Sequence, residues 1–309
     1  MFFVKLNRSK IKVYGEKGRL LPKGALEEHT SFLQSLLSND IKSLKDGEFN
    51  YNLWLTPTGN PKEEFFVYKD EEEGKSFYLL DTPANPQEII QTFEKLKLSL
   101  KVYFKDVSQE VSHYFIFGDE INEFVRKKFG ITEDNFQFKK YKDILVAKNP
   151  LRINKVGFDL IGNEETIKKY LCSLKEIPQE KFEDIRINNC MPAIYKELNE
   201  NIIPNETGFL DYMVSLTKGC YVGQEAVARV YYRGTPSRTL VKFTIKKYAN
   251  VGDEILDNQK KIGFITSITS DGRRGLGYVL RTKAEKGKTF KIKDDKGYIK
   301  IEGICKPNF

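Results

Sequence analysis

The chain is poor in the residues on which most metal centres and nucleophilic triads draw. Of 309 residues, two are histidine, His29 and His113, and four are cysteine, Cys172, Cys190, Cys220 and Cys305. Two imidazoles leave little from which to build a His-ligated metal site or Ser-His-Asp and Cys-His catalysis. The cysteines form no C-x-x-C pair and keep no regular spacing, so neither a zinc site nor a disulfide framework is signalled, and reduced thiols are expected. Long apolar runs are missing as well. Stretches such as Tyr114-Phe115-Ile116-Phe117 stop far short of the roughly 20 residues that span a bilayer, and no charged, apolar and small-residue series opens the chain. These absences lead us to expect a cytoplasmic protein, not bound to a membrane, whose chemistry comes through a cofactor.

What the sequence does contain is apolar and aromatic mass, 40% and 13% of residues, enough for two or three buried cores without covalent staples. The net charge of +8 arises from 51 basic against 43 acidic residues and would draw an anionic partner by long-range attraction. Short basic runs such as Arg126-Lys127-Lys128 and Lys139-Lys140 alternate with acids, which describes a solvated surface better than a nucleic-acid face.

Periodicity divides the chain. Alternation at Phe3, Lys5, Ile11 and Val13 is followed by a helical pattern from Leu26 to Leu37, ended by Asn39-Asp40. A period-two run at 50–55, turn chemistry at Pro57-Thr58-Gly59 and apolar runs at 65–68 and 77–80 read as a meander, and Pro86 to Leu98 as a helix. Strands at 101–104 and 112–117 are expected to frame a second unit, with Asp119 capping a helix through Phe129 before strands at 141–147 and 157–161. The order of elements thus recurs, giving an α+β fold class with two related units sharing a core. After Arg233-Gly234-Thr235-Pro236 the helical period vanishes. Short alternating segments at 240–245, 262–268, 277–280, 289–292 and 298–301 suggest a small β-barrel, so the expected domains are 1–235 and 236–309.

One octapeptide concentrates chemistry: Lys218-Gly219-Cys220-Tyr221-Val222-Gly223-Gln224-Glu225. A nearby ammonium and the positive end of a helix starting near Gln224 both favour a thiolate, the form that attacks electrophiles and binds soft metals. The flanking glycines permit a sharp turn or the close approach of a ligand. A small buried thiol with a solvated lysine beside it is the plain alternative.

The octapeptide resembles the signature of the YgfZ family, K-G-C-[FY]-x-G-Q-E, at every fixed position. Ile203-Pro204-Asn205-Glu206 upstream is similar to the family's I-P-x-E, and Arg229 and Arg233-Gly234 continue its downstream pattern. Phe32-Leu33-Gln34 with Ser38-Asn39-Asp40, Thr56-Pro57-Thr58-Gly59, Ile185-Arg186-Ile187 with Pro192, and Ile262-Gly263 with Ser267 and Gly277 extend the similarity over nearly the whole chain. The resemblance implies the fold of the glycine-cleavage T-protein: two related α+β units around a central opening that holds tetrahydrofolate, then a barrel. It also implies an accessory role in assembly or repair of iron–sulfur clusters in client proteins, dependent on Cys220 with Lys218. A monomer is expected. A folate-dependent one-carbon transferase, aminomethyltransferase- or demethylase-like, is the alternative, and it leaves open whether the chain is an enzyme.

Several positions depart from the T-protein pattern or stay ambiguous. Glu63-Glu64 stands where the T-protein carries adjacent aspartates, one of them catalytic; glutamate is a methylene longer, which would cost rate where an acid must be placed within a fraction of an ångström, so Glu63 is a folate contact or the pair are two solvated acids in the run ending at Glu73. Asn188-Asn189-Cys190-Met191-Pro192 lacks the glycine the family places before its Ile-Pro, which makes Cys190 a second thiol of interest or a core residue. Asp159 aligns by context with a pterin-binding acid, or is an exposed strand-end aspartate. Arg186 pairs with the folate glutamate tail or braces the core. Glu206 contacts ligand or serves as a helix N-terminal acid after Pro204. Tyr221, beside the thiol, completes the folate contacts that the resemblance implies.

Overall fold

The structure is a computed structural model that describes residues 1–16 and 27–309. In chain order, strands β1 (Phe2–Lys5) and β2 (Ser9–Gly15) lead to helix α1 (Glu28–Leu36), then β3 (Phe49–Leu55), β4 (Pro61–Glu72), β5 (Lys75–Thr82) and α2 (Pro86–Leu96). Strands β6 (Val102–Asp106) and β7 (Ser112–Phe117) precede α3 (Ile121–Phe129), β8 (Phe138–Tyr141), β9 (Ile144–Lys148), β10 (Gly157–Gly162), α4 (Glu164–Leu171), β11 (Lys175–Glu176) and α5 (Gln179–Asn188). Helices α6 (Leu210–Met213) and α7 (Gln224–Arg233) cross to the barrel strands β12 (Arg238–Lys247), β13 (Glu254–Asp257), β14 (Lys260–Ile268), β15 (Arg274–Leu280), β16 (Thr289–Ile292) and β17 (Gly297–Ile304).

Two sheets, ordered β3-β4-β5-β2-β6 and β11-β1-β7-β10-β9-β8, stack with helices on their outer faces. Strand alternation sets the layering. On β4, Phe65 and Val67 join Phe32, Leu33 and Phe93 under α1 and α2, whereas Phe66 and Tyr68 join Phe138, Ala147 and Ile161 between the sheets. On the far side, Ile116, Val146, Phe158 and Leu160 pack with Phe124, Val125 and Ile167 of α3 and α4. The barrel, closed in the order β12-β15-β14-β13-β16-β17, has its own interior but lends Leu240, Leu276 and Tyr278 to the inter-sheet core. The α+β class, the two related units and the terminal barrel all match the sequence reading.

The two units are interleaved, which the sequence reading did not foresee. β1 leaves its own unit to pair with β7, while β6, expected in the second unit, pairs with β2 in the first sheet. Local alternation is the same whichever partner a strand takes, so only long-range packing decides the exchange. Asp119 does not cap α3: the cap position is Glu120, in left-handed conformation, with no side-chain bond. α1 begins at Glu28, and the expected start at Leu26 lies outside the described residues. β13, too short to show a period, completes the barrel. Among the described residues no helix is long and apolar enough to cross a membrane.

Candidate functional site

The segment from Ile202 to Gly223 is threaded across the edge of the first unit by polar contacts. Asn60 Nδ2 donates to the Ile202 carbonyl at 3.0 Å, Asn39 Nδ2 to the Tyr212 carbonyl at 3.0 Å, and Ser38 Oγ to the Met213 carbonyl at 2.6 Å. The Ser215 amide returns a bond to the Ser38 carbonyl. Two glycines lock the end of this segment. Gly223, at φ +83°, would drive a Cβ to 2.5 Å from the Thr56 carbonyl oxygen, and Gly59, at φ +84°, to 2.9 Å from Ala226 Cβ. The turn after β3 and the start of α7 therefore touch backbone to backbone, a contact that only glycine permits.

Inside this frame Lys218 is buried. Its Nζ donates to the carbonyls of Leu37 at 2.5 Å and Asn39 at 2.7 Å and lies 5.0 Å from the centre of the Tyr221 ring. Burial pushes its pKa down to about 7, partly offset by Asp40, so near neutrality the amine holds its proton weakly. Next to it Tyr221 is buried with its hydroxyl oxygen unpartnered, and burial lifts that hydroxyl's pKa to about 12. Cys220 stands exposed between them in sequence, and Gly219 opens onto free space. The result is an exposed cysteine flanked in sequence by a dehydrated amine and an unsatisfied phenol. The expected cation is present, but it is spent on carbonyls and only marginally charged.

The remaining sequence candidates divide sharply. Asp159 is neither exposed nor available to a pterin. Its carboxylate is fully buried and accepts from Arg152 Nε at 3.0 Å, His113 Nε2 at 2.9 Å, Asn149 Nδ2 at 2.7 Å and Tyr68 Oη at 2.9 Å. Burial alone would raise its pKa, but Arg152 and His113 hold it well below the usual carboxylate range. Since a carboxylate offers about four acceptor positions, none is left over. The group belongs to a closed network with Asp81, Arg8 and Lys10. Arg186 is likewise closed: every guanidinium nitrogen is engaged, with Glu183, Glu197, Ser267 and the Met191 carbonyl, which is the bracing role rather than a folate contact.

Glu206 sits in a helical turn after Pro204, accepts from the Ile203 amide at 3.2 Å and is paired with Arg238 at 2.8 Å, bridging the threaded segment to the barrel. Its neighbour Asn205 donates to the Val227 carbonyl of α7 but leaves its own buried Oδ1 unpartnered. Of the acidic pair, Glu64 is buried against Arg8 and Tyr51. Glu63 is half-buried, bonded by Tyr195 Oη, and burial raises its pKa despite that bond. Tyr195, Asn205 and Arg238 are site neighbours the sequence reading missed. Of these only Asn205 carried a signal, its place within the Ile203–Glu206 motif.

Comparison with known proteins bears on this arrangement. Residues 25–160 match the GCVT N-terminal domain. An uncharacterized protein of Aquifex aeolicus is 48% identical over 153 residues, covering 49% of this chain and 100% of that protein. The chain belongs to one family with it. An aminomethyltransferase of Thermoanaerobacter sp. is 25% identical over 268 residues, 81% of this chain and 71% of its own length. Aminomethyltransferase T of the glycine cleavage system from Bartonella henselae superposes with a TM-score of 0.78 over 98% of this chain and 85% of its own, at 16% identity. The fold is therefore that of the glycine-cleavage T-protein.

Proposed function

We propose that the protein binds a reduced folate against the Lys218–Tyr221 segment and uses the Cys220 thiol, supporting iron–sulfur proteins as the YgfZ-like octapeptide implies. The observation that carries this reading is the exposed Cys220 beside two groups whose polar capacity is unfilled: the Tyr221 hydroxyl, buried without a partner, and the weakly protonated Lys218 amine. A buried orphan hydroxyl is costly unless a bound molecule or water meets it. Tyr221 and Lys218 are the residues that would hold a pterin or its tail, while Glu206, buried and paired with Arg238, stays a brace. Tetrahydrofolate supplies one-carbon chemistry at its reduced ring when bound. The chain's own part is to orient that ring, to exclude water through Tyr221 and to present a nucleophilic sulfur at the surface, where a client protein or a soft metal can reach it.

The test is tetrahydrofolate binding by the purified chain. At ~100 times the dissociation constant, stabilisation of about 2.7 kcal/mol is expected. Saturating folate should also slow alkylation of Cys220 while leaving exposed Cys172 unaffected. A melting temperature indifferent to tetrahydrofolate would remove the reading. Cys220→Ser should keep the folate-dependent shift and lose support of iron–sulfur enzymes.

A second reading, a folate-dependent one-carbon transferase, is favoured by Glu63. Its raised pKa suits an acid that must hold and pass a proton, and it follows closely on the Gly59 turn locked to α7. Under this reading Glu63→Gln abolishes transfer from an aminomethyl donor and Cys220→Ser does not.

A further inference from the structure

Two of the remaining thiols meet where the barrel rejoins the sheets. Cys190 ends the turn after α5 in left-handed conformation, φ +64°, and is half-buried; Cys305 follows β17 and is 1% exposed. Cys190 packs against the core cluster that contains Cys305. The neighbouring backbone is clamped by one residue: buried Asn154 donates from Nδ2 to the Asn189 carbonyl at 2.7 Å and to the Lys306 carbonyl at 2.9 Å, and accepts from the Asn308 amide at 2.9 Å. The backbone next to each cysteine is thus tied to a single side chain, independently of either thiol. Cys190 also lines a cavity of about 470 Å³ with Lys242, Lys286 and Glu302, which gives a small solute a path to one sulfur.

We propose that Cys190 and Cys305 form a redox-responsive dithiol, oxidised by a hydroperoxide entering through this cavity to an intramolecular disulfide that fastens the C-terminal segment to the end of α5. The two thiols have distinct roles. The neighbouring Cys305 thiol, and after it the Lys242 ammonium, lower the pKa of Cys190, against the opposing effects of burial, Glu302 and Glu197. Burial keeps Cys305 protonated. In the first step the Cys190 thiolate attacks one peroxide oxygen and the O–O bond breaks, giving a Cys190 sulfenic acid and hydroxide. In the second, the Cys305 sulfur attacks the sulfenic sulfur. The S–S bond forms, the S–O bond breaks, and the departing hydroxyl takes the Cys305 proton away as water. Two thiol sulfurs are oxidised and one peroxide is reduced. Closing so long a loop removes freedom from the unfolded chain, so the oxidised form is expected to melt several degrees higher.

The experiment is to treat the purified full chain with one to two equivalents of hydrogen peroxide, block free thiols with N-ethylmaleimide and map the unreduced digest by mass spectrometry. We expect one cross-linked pair joining Cys190 and Cys305, reversal by dithiothreitol, maleimide on Cys172 and Cys220, and a raised melting temperature that falls on reduction. Cys190→Ser should abolish the pair and leave Cys305 as a free thiol. The wild-type map decides the matter even if substitution of buried Cys305 prevents folding. Recovery of all four cysteines as maleimide adducts, or of Cys190 as sulfinic acid beside a free Cys305, overturns the proposal. The outcome does not depend on folate and stands or falls apart from the reading of Cys220.

Discussion

The inter-sheet network around Asp159 and the Lys218–Gly223 segment both bury charged or polar groups, yet they treat them in opposite ways. In the network Arg152 bridges Asp159 and Asp81, Arg8 and Lys10 complete Asp81, and His113 fills the remaining gap. Lys10 can only donate and Asp159 only accept, so His113 must accept at Nδ1 from Lys10 and donate at Nε2, which fixes the neutral tautomer. Every group has its partner. In the segment, by contrast, a phenol has none, an amine is held by two carbonyls at a depressed pKa, and a thiol faces solvent. Saturated polar burial fixes the relation of the two sheets. Unsaturated polar burial is what a ligand would complete.

The contrast can be broken most severely at Arg152. Arg152→Met would take from Asp159 and Asp81 the one cation that bonds both, leaving Arg8 and Lys10 on Asp81 alone, and a loss of about 3–5 kcal/mol is expected in urea unfolding. A loss below about 1 kcal/mol would show that the network is not the brace described here.

Acid comes next. Burial and Lys10 push the pKa of His113 down to about 4, below the ordinary value of 6.5. Between these values the unfolded chain binds a proton that the folded chain refuses. The stability held above pH 6.5 is therefore lost as pH falls toward 4, by about 3 kcal/mol. Stability measured from pH 7 to 4 should show this limb, and His113→Asn should flatten it.

Lys218 carries the same sense into the alkaline range, and its substitution has the smallest effect at neutral pH. Its folded pKa of about 7 lies below the ordinary lysine value of 10.5, so between the two the unfolded chain binds the extra proton and stability rises with pH. The slope is at most ~1.4 kcal/mol per pH unit. Lys218→Met should lose this rise while changing stability at pH 7 by no more than about 1 kcal/mol, since the lost carbonyl bonds are offset by relief of amine burial. A variant that keeps the alkaline rise would place the titration elsewhere.

Glu64 and Glu63 show why only part of the site was legible. They are adjacent in sequence and identical in type, yet one is closed off by Arg8 and Tyr51 while the other is half-buried under Tyr195. Strand alternation sends them to opposite faces, and which face meets the inter-sheet network depends on partners far away in the chain.

What the sequence determined by itself was whatever depends on near neighbours. The apolar run Phe65-Phe66-Val67-Tyr68 marked a strand of the meander. The loss of helical period after Pro236 required a β domain, and the glycines at 59 and 223 required tight backbone. The density of the octapeptide around Cys220 marked the segment proposed as the site. Tertiary structure alone decided the exchange of β1 and β6 between sheets, the closure of Asp159 and Arg186 by internal partners, and the meeting of Cys190 with Cys305. Each of these is a contact between residues distant in the chain. Local period constrains which face a side chain takes, but not which of several equally patterned partners it will meet; that choice is made by the packing of the whole core.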